Sequence, residues 1–332
     1  MARATTIYGS SESQAFIINE TEAMTANVTT MLGIPLTGVP SVNENAFRDS
    51  DKKLSVGRTI KSADVVVITK GQVKEISFQT YLDETLYMNW LQNGGGKVVE
   101  VGAPIGAFVA AFNHTPAACG NAGEFTDWTG TMTFAYVPPY AAEAQIFAGC
   151  VVDSMKLAMA QGTEGGRPII DVVLKTRVEV SSGQATPAST VAYTKSALTI
   201  YDLCTTTQVN SIDVQLNSLE FTHNFNTKHA GVACDGKATA IAKNIPVIDL
   251  TGVVVCLVDT NLPQAHELAR AATTIPLSFT NGANFFFTVA TALVTADVQA
   301  SDNDDYQVWS IPWQATAGTS GNLFEEEIKT PA

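Results

Sequence analysis

One layout occurs twice in this chain: a run of alternating polar and apolar residues, one short amphipathic helix, then further alternating runs. In the first half the run covers 72–81 and the helix 82–92; in the second the run covers 245–258 and the helix 260–272. Side chains on a strand alternate between faces with period two. Ile76, Phe78, Thr80 and Leu82 therefore share one face, and Glu75, Ser77, Gln79 and Tyr81 the other. One face meets a core and the other stays polar. Asp83 can cap the first helix, and Asp259 or Thr260 the second. Pro263 stands in the second helix's first turn, where its missing N–H costs little, and Asn93-Gly94-Gly95-Gly96 stops the first. Helices of about three turns are unstable alone, so each is expected to pack over an open end or edge of its sheet.

The remaining pattern is mainly β. Strands are expected at 64–69, 131–137, 146–159 and 169–180 in the first half, and at 212–217, 245–258, 275–279, 284–294 and 306–313 in the second. In 169–180, Val172, Leu174, Thr176, Val178 and Val180 oppose Asp171, Lys175, Arg177 and Glu179. Leu219 and Phe221 continue the apolar set of Ile212, Val214 and Leu216 only after a one-residue change of phase, which a β-bulge near Asn217-Ser218 explains. Residues 1–52 read as an extended N-terminal arm, 53–182 as a first β unit, 191–316 as a second, and 317–332 as a flexible acidic tail. The polar stretch 181–190 marks the boundary between units. Residues 102–126, rich in Gly, Pro and Ala, read as a long excursion that reaches a partner, and 224–236 as a polar loop.

Charged residues make up only 15% of the 332 and hydrophobic ones 45%, below the roughly 25% charge of an ordinary soluble domain. An uncharged surface suits burial against copies of itself, although a large monomeric β core gives part of the same signature. A net charge of −13 argues against attraction to a nucleic-acid backbone, which depends on Lys and Arg clusters. The five cysteines are an odd number without a C-x-x-C pair. Cys150 and Cys256 lie in apolar runs, as core thiols do. These features suit a reducing cytoplasm, and neither a secretory leader nor a membrane-spanning run is visible.

No catalytic constellation announces itself. Gly94-Gly95-Gly96 lacks the Lys-Ser/Thr of a phosphate loop. His223, His229, Cys234 and Asp235 match no common zinc spacing and read as loop residues rather than a metal site. Asp302, Asn303, Asp304 and Asp305 resemble a calcium loop only in composition and read as a solvated turn. Trp309 and Trp313 share a strand face, either as core or as a platform for a sugar or base. An enzyme is the least favoured class.

Four stretches together resemble the tail tube proteins of long-tailed, siphovirus-like bacteriophages. They are the arm and turn before Lys61; the unit from Lys74-Glu75-Ile76-Ser77-Phe78 through Leu91; Phe147-Ala148-Gly149-Cys150-Val151-Val152-Asp153-Ser154-Met155-Lys156-Leu157; and Val308-Trp309-Ser310-Ile311-Pro312-Trp313-Gln314-Ala315. The likeness covers most of 50–320 and rests on layout more than on an invariant motif. It implies tandem β-sandwich or barrel units, each with one short flanking helix, whose inner strands form a tube lumen on assembly. It implies a virion structural protein of stacked rings, the conduit for DNA ejection, built in the host cytoplasm and residing in the virion tail, with no cofactor and no turnover. Its implied partners are itself (a trimer with pseudo-sixfold symmetry, or a hexamer), the tape measure protein, the tail terminator and tip proteins, and phage DNA passing without specific binding; no membrane is involved. Lumen-facing residues should then be neutral or anionic, with Glu75, Ser77, Gln79, Asp213, Gln215 and Asn217 as candidates; a lumen lined instead by Lys175 and Arg177 would contradict this. The alternatives are another virion component, such as a capsid or decoration protein, and a carbohydrate-binding β-sandwich using Trp309 and Trp313.

Overall fold

The structure, a computed structural model, describes residues 13–20, 26–28, 30–43, 47–50, 65–68, 74–83, 86–87, 90, 93, 97–101, 107–113, 131–139, 143–176, 178–185, 187, 189–191, 196–203, 206–225, 227–232, 238–243, 249–263, 274–280, 285–295, 299–303, 306–316 and 322–329. The fold is mainly β. The first part of the chain gives β1 (Gln14–Asn19), β2 (Thr30–Gly33), β3 (Ser41–Asn43), the hairpin β4 (Phe47–Ser50) and β5 (Val65–Ile68), and β6 (Lys74–Tyr81). Helical residues Leu86, Tyr87, Trp90 and Asn93 follow, then β7 (Lys97–Val101), β8 (Ala107–Asn113), β9 (Met132–Val137), β10 (Glu143–Ala160), β11 (Ile169–Thr176), β12 (Val178–Ala185) and β13 (Ser189–Val191). After a short helix, Ile200–Leu203, come β14 (Gln208–Val209), β15 (Ile212–Asp213), β16 (Leu216–Asn224), the hairpin β17 (Thr227–Val232) and β18 (Ala238–Lys243), and β19 (Asp249–Leu257). Helical Leu262 and Pro263 lead on to β20 (Ile275–Thr280), β21 (Phe285–Val294), β22 (Gln299–Asn303), β23 (Tyr306–Ala315) and β24 (Asn322–Lys329).

Eight strands stand side by side, all antiparallel, in the order β3, β6, β11, β10, β16, β19, β23, β22. A second run joins β12, β10, β9, β1 and β2 through the first half of β10, with β13 parallel beside β2. On the far side, β21 pairs with the end of β23, with β20 and with β24. These flanking strands cover the apolar face of the eight. Phe78 of β6 stacks on Phe134 of β9 with ring centroids 5.5 Å apart, and Phe221 of β16 on Phe287 of β21 at 4.3 Å. Such pairs add about 0.5–1.5 kcal/mol each beyond their area burial.

The two halves repeat in register. The first helix is capped by Asp83, whose Oδ1 accepts the Leu86 N–H (2.9 Å); Asp259 Oδ1 likewise accepts the Leu262 N–H (2.9 Å). Two residues before each cap, Tyr81 faces Ile169 as Leu257 faces Val308. The Tyr81 N–H donates to the Pro35 carbonyl and the Leu257 N–H to that of Gln215; Leu82 donates to Pro168 as Val258 does to Gln307. Leu36 bridges Thr80 as Leu216 pairs with Cys256. Asp171 faces Lys156 as Ser310 faces Gln299. The set β3, β6, β11, β10 thus corresponds strand for strand to β16, β19, β23, β22. The 18-residue β10 is matched by two strands, β21 and β22. Both sets carry a hairpin between their first two strands, β4–β5 and β17–β18.

Several segments differ from the sequence reading. The segment read as an arm carries β1, β2 and β3, all paired into the fold. Its alternation is hidden because β1 is covered on both faces: Ala15 and Ile17 join the main core, while Phe16 packs in a second cluster with Met31 and Ile146. Residues 181–185 of the expected linker continue β12 beside β10. Part of the expected loop 224–236 is β17, and the expected flexible tail carries β24, paired with β21 and β8. Edge and hairpin strands are held by backbone pairing, which leaves little trace in side-chain pattern. The excursion 102–126 lies largely outside the described residues, as do Gly94-Gly95-Gly96; its first part, β8, pairs with β24. The bulge is present, as a register shift between Leu216 and Ser218.

At one pair of facing residues the two sets distribute bulk in opposite ways. Ile76 faces Leu174 in the first, and Gly252 faces Trp313 at the corresponding place in the second. A Cβ on Gly252 would lie 2.4 Å from Trp313 Cζ2 and 2.6 Å from the Glu220 carbonyl oxygen. Gly252→Ala is therefore expected to destabilise by about 1–3 kcal/mol through overpacking, and adding Trp313→Leu to recover part of the loss. Thermal unfolding of both variants checks this, and an unchanged midpoint for Gly252→Ala would contradict the packing described.

Cys150 and Cys256 are buried, unbridged thiols, and burial pushes each up to about 12. Both should resist a thiol reagent at pH 8 in the folded protein and react on denaturation. Because their folded values lie above the unfolded one, their contribution is full below the unfolded thiol's pKa of about 8.5. It is lost as pH rises from there through about 12. Unfolding midpoints measured from pH 8 upward should fall accordingly.

Candidate assembly surface

Alternation leaves the face of the eight-stranded sheet opposite the core polar. Glu75, Ser77 and Gln79 of β6 lie on it, facing Lys175, Val173 and Asp171 of β11. Gln79 Nε2 donates to Asp171 Oδ1 (2.9 Å), and the Thr37 hydroxyl donates to Gln79 Oε1 (2.8 Å). Further along the face, Lys156 of β10 reaches Glu220 of β16 at 2.8 Å, diagonally across the β10–β16 ladder. Asp249, aligned with Asn224, adds another carboxylate.

Lys175 shares this face with Glu75, so the expected separation of Lys175 from the lumen candidates does not hold: facing residues on paired strands point the same way. Its charge is matched, because Lys175 Nζ lies 2.7 Å from Asp153 Oδ2 and donates to the Thr227 carbonyl (3.2 Å). Arg177 lies outside the described residues. Both described lysines of the face are thus ion-paired, and the named carboxylates outnumber them.

Asp213, Gln215 and Asn217 do not extend the row of Glu75. By register, the positions matching Glu75, Ser77 and Gln79 are Thr251, Val253 and Val255 of β19. Asp213 and Gln215 line an open hollow of about 420 Å³ at the sheet end, with Gln161, Asp259 and Asn261. Gln208 Nε2 donates to Asp213 Oδ1 (2.8 Å). Asn217 is the extra residue of the bulge, 9% exposed. The trio lies on the stretch that corresponds to the approach to β3, since Leu216 takes the place of Leu36, and not on the strand that corresponds to β6.

The remaining candidates settle into structure. His223 is fully buried among Phe221, Phe225 and Tyr87; Cys234 and Asp235 lie outside the described residues. Among the described residues, no group of three His, Cys, Asp or Glu could hold a metal. Trp313 is 1% exposed against Phe287, and Trp309 packs on the same core, which removes the sugar platform. Asp302 and Asn303 end β22, aligned with Gln307 and Tyr306 of β23; Asp304 and Asp305 lie outside the described residues.

Sequence reasoning missed Glu20, a carboxylate 3% exposed. It accepts hydrogen bonds from the Thr131 and Thr133 hydroxyls (2.5 and 3.0 Å) and the Gly149 N–H (2.8 Å). It thereby clasps the end of β1 to the irregular stretch of β10 between Phe147 and Cys150. Its sequence neighbours are polar, so no local signal marks it. Asp153 was missed as well; its Oδ1 accepts the Thr227 N–H (2.9 Å) and so ties the root of β17 to β10.

No protein-family model and no curated protein sequence matches the chain.

Asp153→Ala removes both the acceptor of Thr227 and the partner of Lys175. A loss of about 1–3 kcal/mol is expected from the unsatisfied donors, with faster amide exchange across 227–232 than across β19. Unchanged exchange in β17 would show that the hairpin is held by other contacts.

Proposed function

We propose that the protein is a self-assembling structural component of a bacteriophage tail, forming stacked rings whose inner sheets line a conduit for DNA. The single observation that carries the reading is the eight-stranded sheet: two four-strand sets of matching order and register follow one another without a break. A chain that already repeats its own sheet has the geometry that cyclic assembly extends, since closure counts units rather than chains. At eight strands per chain, three copies would supply 24 strands in six sets.

The polar face supports the same reading. Among the described residues, its lysines are paired with Asp153 and Glu220 and so offer a phosphate backbone few counterion-releasing contacts. Glu75, Ser77 and Gln79 are lumen-facing in this arrangement, joined by Asp171, Glu220 and Thr251. The function requires no turnover and no cofactor; its setting is the virion tail after assembly in a host cytoplasm, and its partners would be the proteins that set tube length and close the tube ends.

Negative-stain electron microscopy over a concentration series tests this. Hollow filaments of stacked rings, with threefold or pseudo-sixfold end views, are expected. Closed shells would replace the reading with that of a capsid component, and a protein that stays monomeric at every concentration would end it.

A further inference from the structure

We infer that copies of this chain join through backbone pairing of β22 on one copy with β3 on the next, in a register fixed by the chain's own β10–β16 ladder. The inference rests on the self-assembly part of the reading above and names the contact that assembly uses. Within the chain, the fourth strand of the first set, β10, pairs antiparallel with the first strand of the second set, β16. The fourth strand of the second set is β22 and the first strand of the first set is β3; these are the two ends of the eight-stranded sheet. A second copy is the occupant that presents the matching strand at each end.

The register follows residue by residue. Lys156, Leu157 and Ala158 face Asp171, Ile170 and Ile169 on β11; Gln299, Ala300 and Ser301 face Ser310, Trp309 and Val308 on β23. On the other side, Glu220, Phe221 and Thr222 face Val253, Gly252 and Thr251 on β19; Ser41, Val42 and Asn43 face Ser77, Ile76 and Glu75 on β6. Inside the chain, Lys156 pairs with Thr222, Leu157 with Phe221 and Ala158 with Glu220. Between copies, Gln299 therefore pairs with Asn43, Ala300 with Val42, and Ser301 with Ser41.

Lysine and proline are among the residues with which proteins block exposed edges, and the described edge strands contain neither: β3 reads Ser-Val-Asn and β22 Gln-Ala-Ser-Asp-Asn. Ser41 and Ser301 are exposed, and Val42 is a half-buried apolar residue packed against the core beside the edge. A neighbouring strand would complete its cover as β10 covers the flank of Phe221.

The test is a double variant, Ser41→Cys with Ser301→Cys, in the full chain with Cys119, Cys204 and Cys234 changed to Ser. Directly opposed residues of an antiparallel pair lie about 4.5–5.5 Å apart at Cα, within disulfide reach. Mild oxidation should give intermolecular cross-links that stop at one closed species on a non-reducing denaturing gel, absent from either single variant. Ala158→Cys with Glu220→Cys, at the corresponding internal positions, should instead close within one chain and form no multimer, which calibrates the register. Rings or tubes that assemble without cross-linking Ser41→Cys to Ser301→Cys would overturn the seam while sparing the tube reading. Cross-linked rings that never stack would keep the seam and sink the tube. A protein that neither assembles nor cross-links would end both.

Discussion

The fold depends on β10. Its first half pairs with β9 and β12, its second with β11 and β16, so one strand of 18 residues belongs to two layers and joins the first repeat to the second. Register in an ordinary hairpin is local, but a slip here would turn core residues of two sheets toward solvent together. The strand changes layer where its pairing is irregular, between Phe147 and Cys150 on one side and between Val152 and Ser154 on the other. Gly149 sits in this stretch at φ 69°, a conformation side chains disfavour, and its N–H is held by Glu20. The Thr176 hydroxyl donates to the Ala148 carbonyl there, and that of Thr227 to Val152. Polar groups exposed by the broken ladder are thus met by side chains from three other segments, which is what lets a long strand bend without burying unsatisfied backbone.

The repeat was visible in the sequence as layout and invisible as identity, and the structure explains both. What the two sets share is what positions backbone: the two aspartate caps, the alternation before them, and the carbonyls that receive Tyr81 and Leu257. What they do not share is the filling. Ile76 with Leu174 and Gly252 with Trp313 occupy one equivalent place with opposite distributions of bulk. Cores accept such exchanges when summed volume is kept, so the register can persist while the residues diverge.

Strands on the central sheet were legible because one face meets core and the other water. Segments covered on both faces were not: β1 reads Gln-Ala-Phe-Ile-Ile-Asn, and the six residues of β9 are all buried, so neither alternates. The candidate surface was half legible for the same reason. Glu75, Ser77 and Gln79 follow from period two alone, but alternation does not say which strand of the second half takes the place of β6; that is β19, whereas the trio ending at Asn217 precedes or forms the bulge at the start of β16. Glu20 and Asp153 act across 129 and 74 positions of sequence, a separation at which no local pattern can register them.

The low charge of the chain is itself a structural requirement if one face of the sheet must stay smooth to a polyanion. Each unpaired lysine on that face would offer a phosphate a contact and release a counterion, whereas the pairing of Lys156 with Glu220 and of Lys175 with Asp153 spends both cations internally. These pairs are partly exposed, so they contribute little to stability; their effect is on the field of the face. The lysines nevertheless fall on strands of the first set, β10 and β11, while the positions of β22 and β23 that match Lys156 and Lys175 are Gln299 and Gln314. At these two register positions the second set carries amides where the first carries ion-paired lysines, so at neither position does either set add an unpaired positive charge to the face.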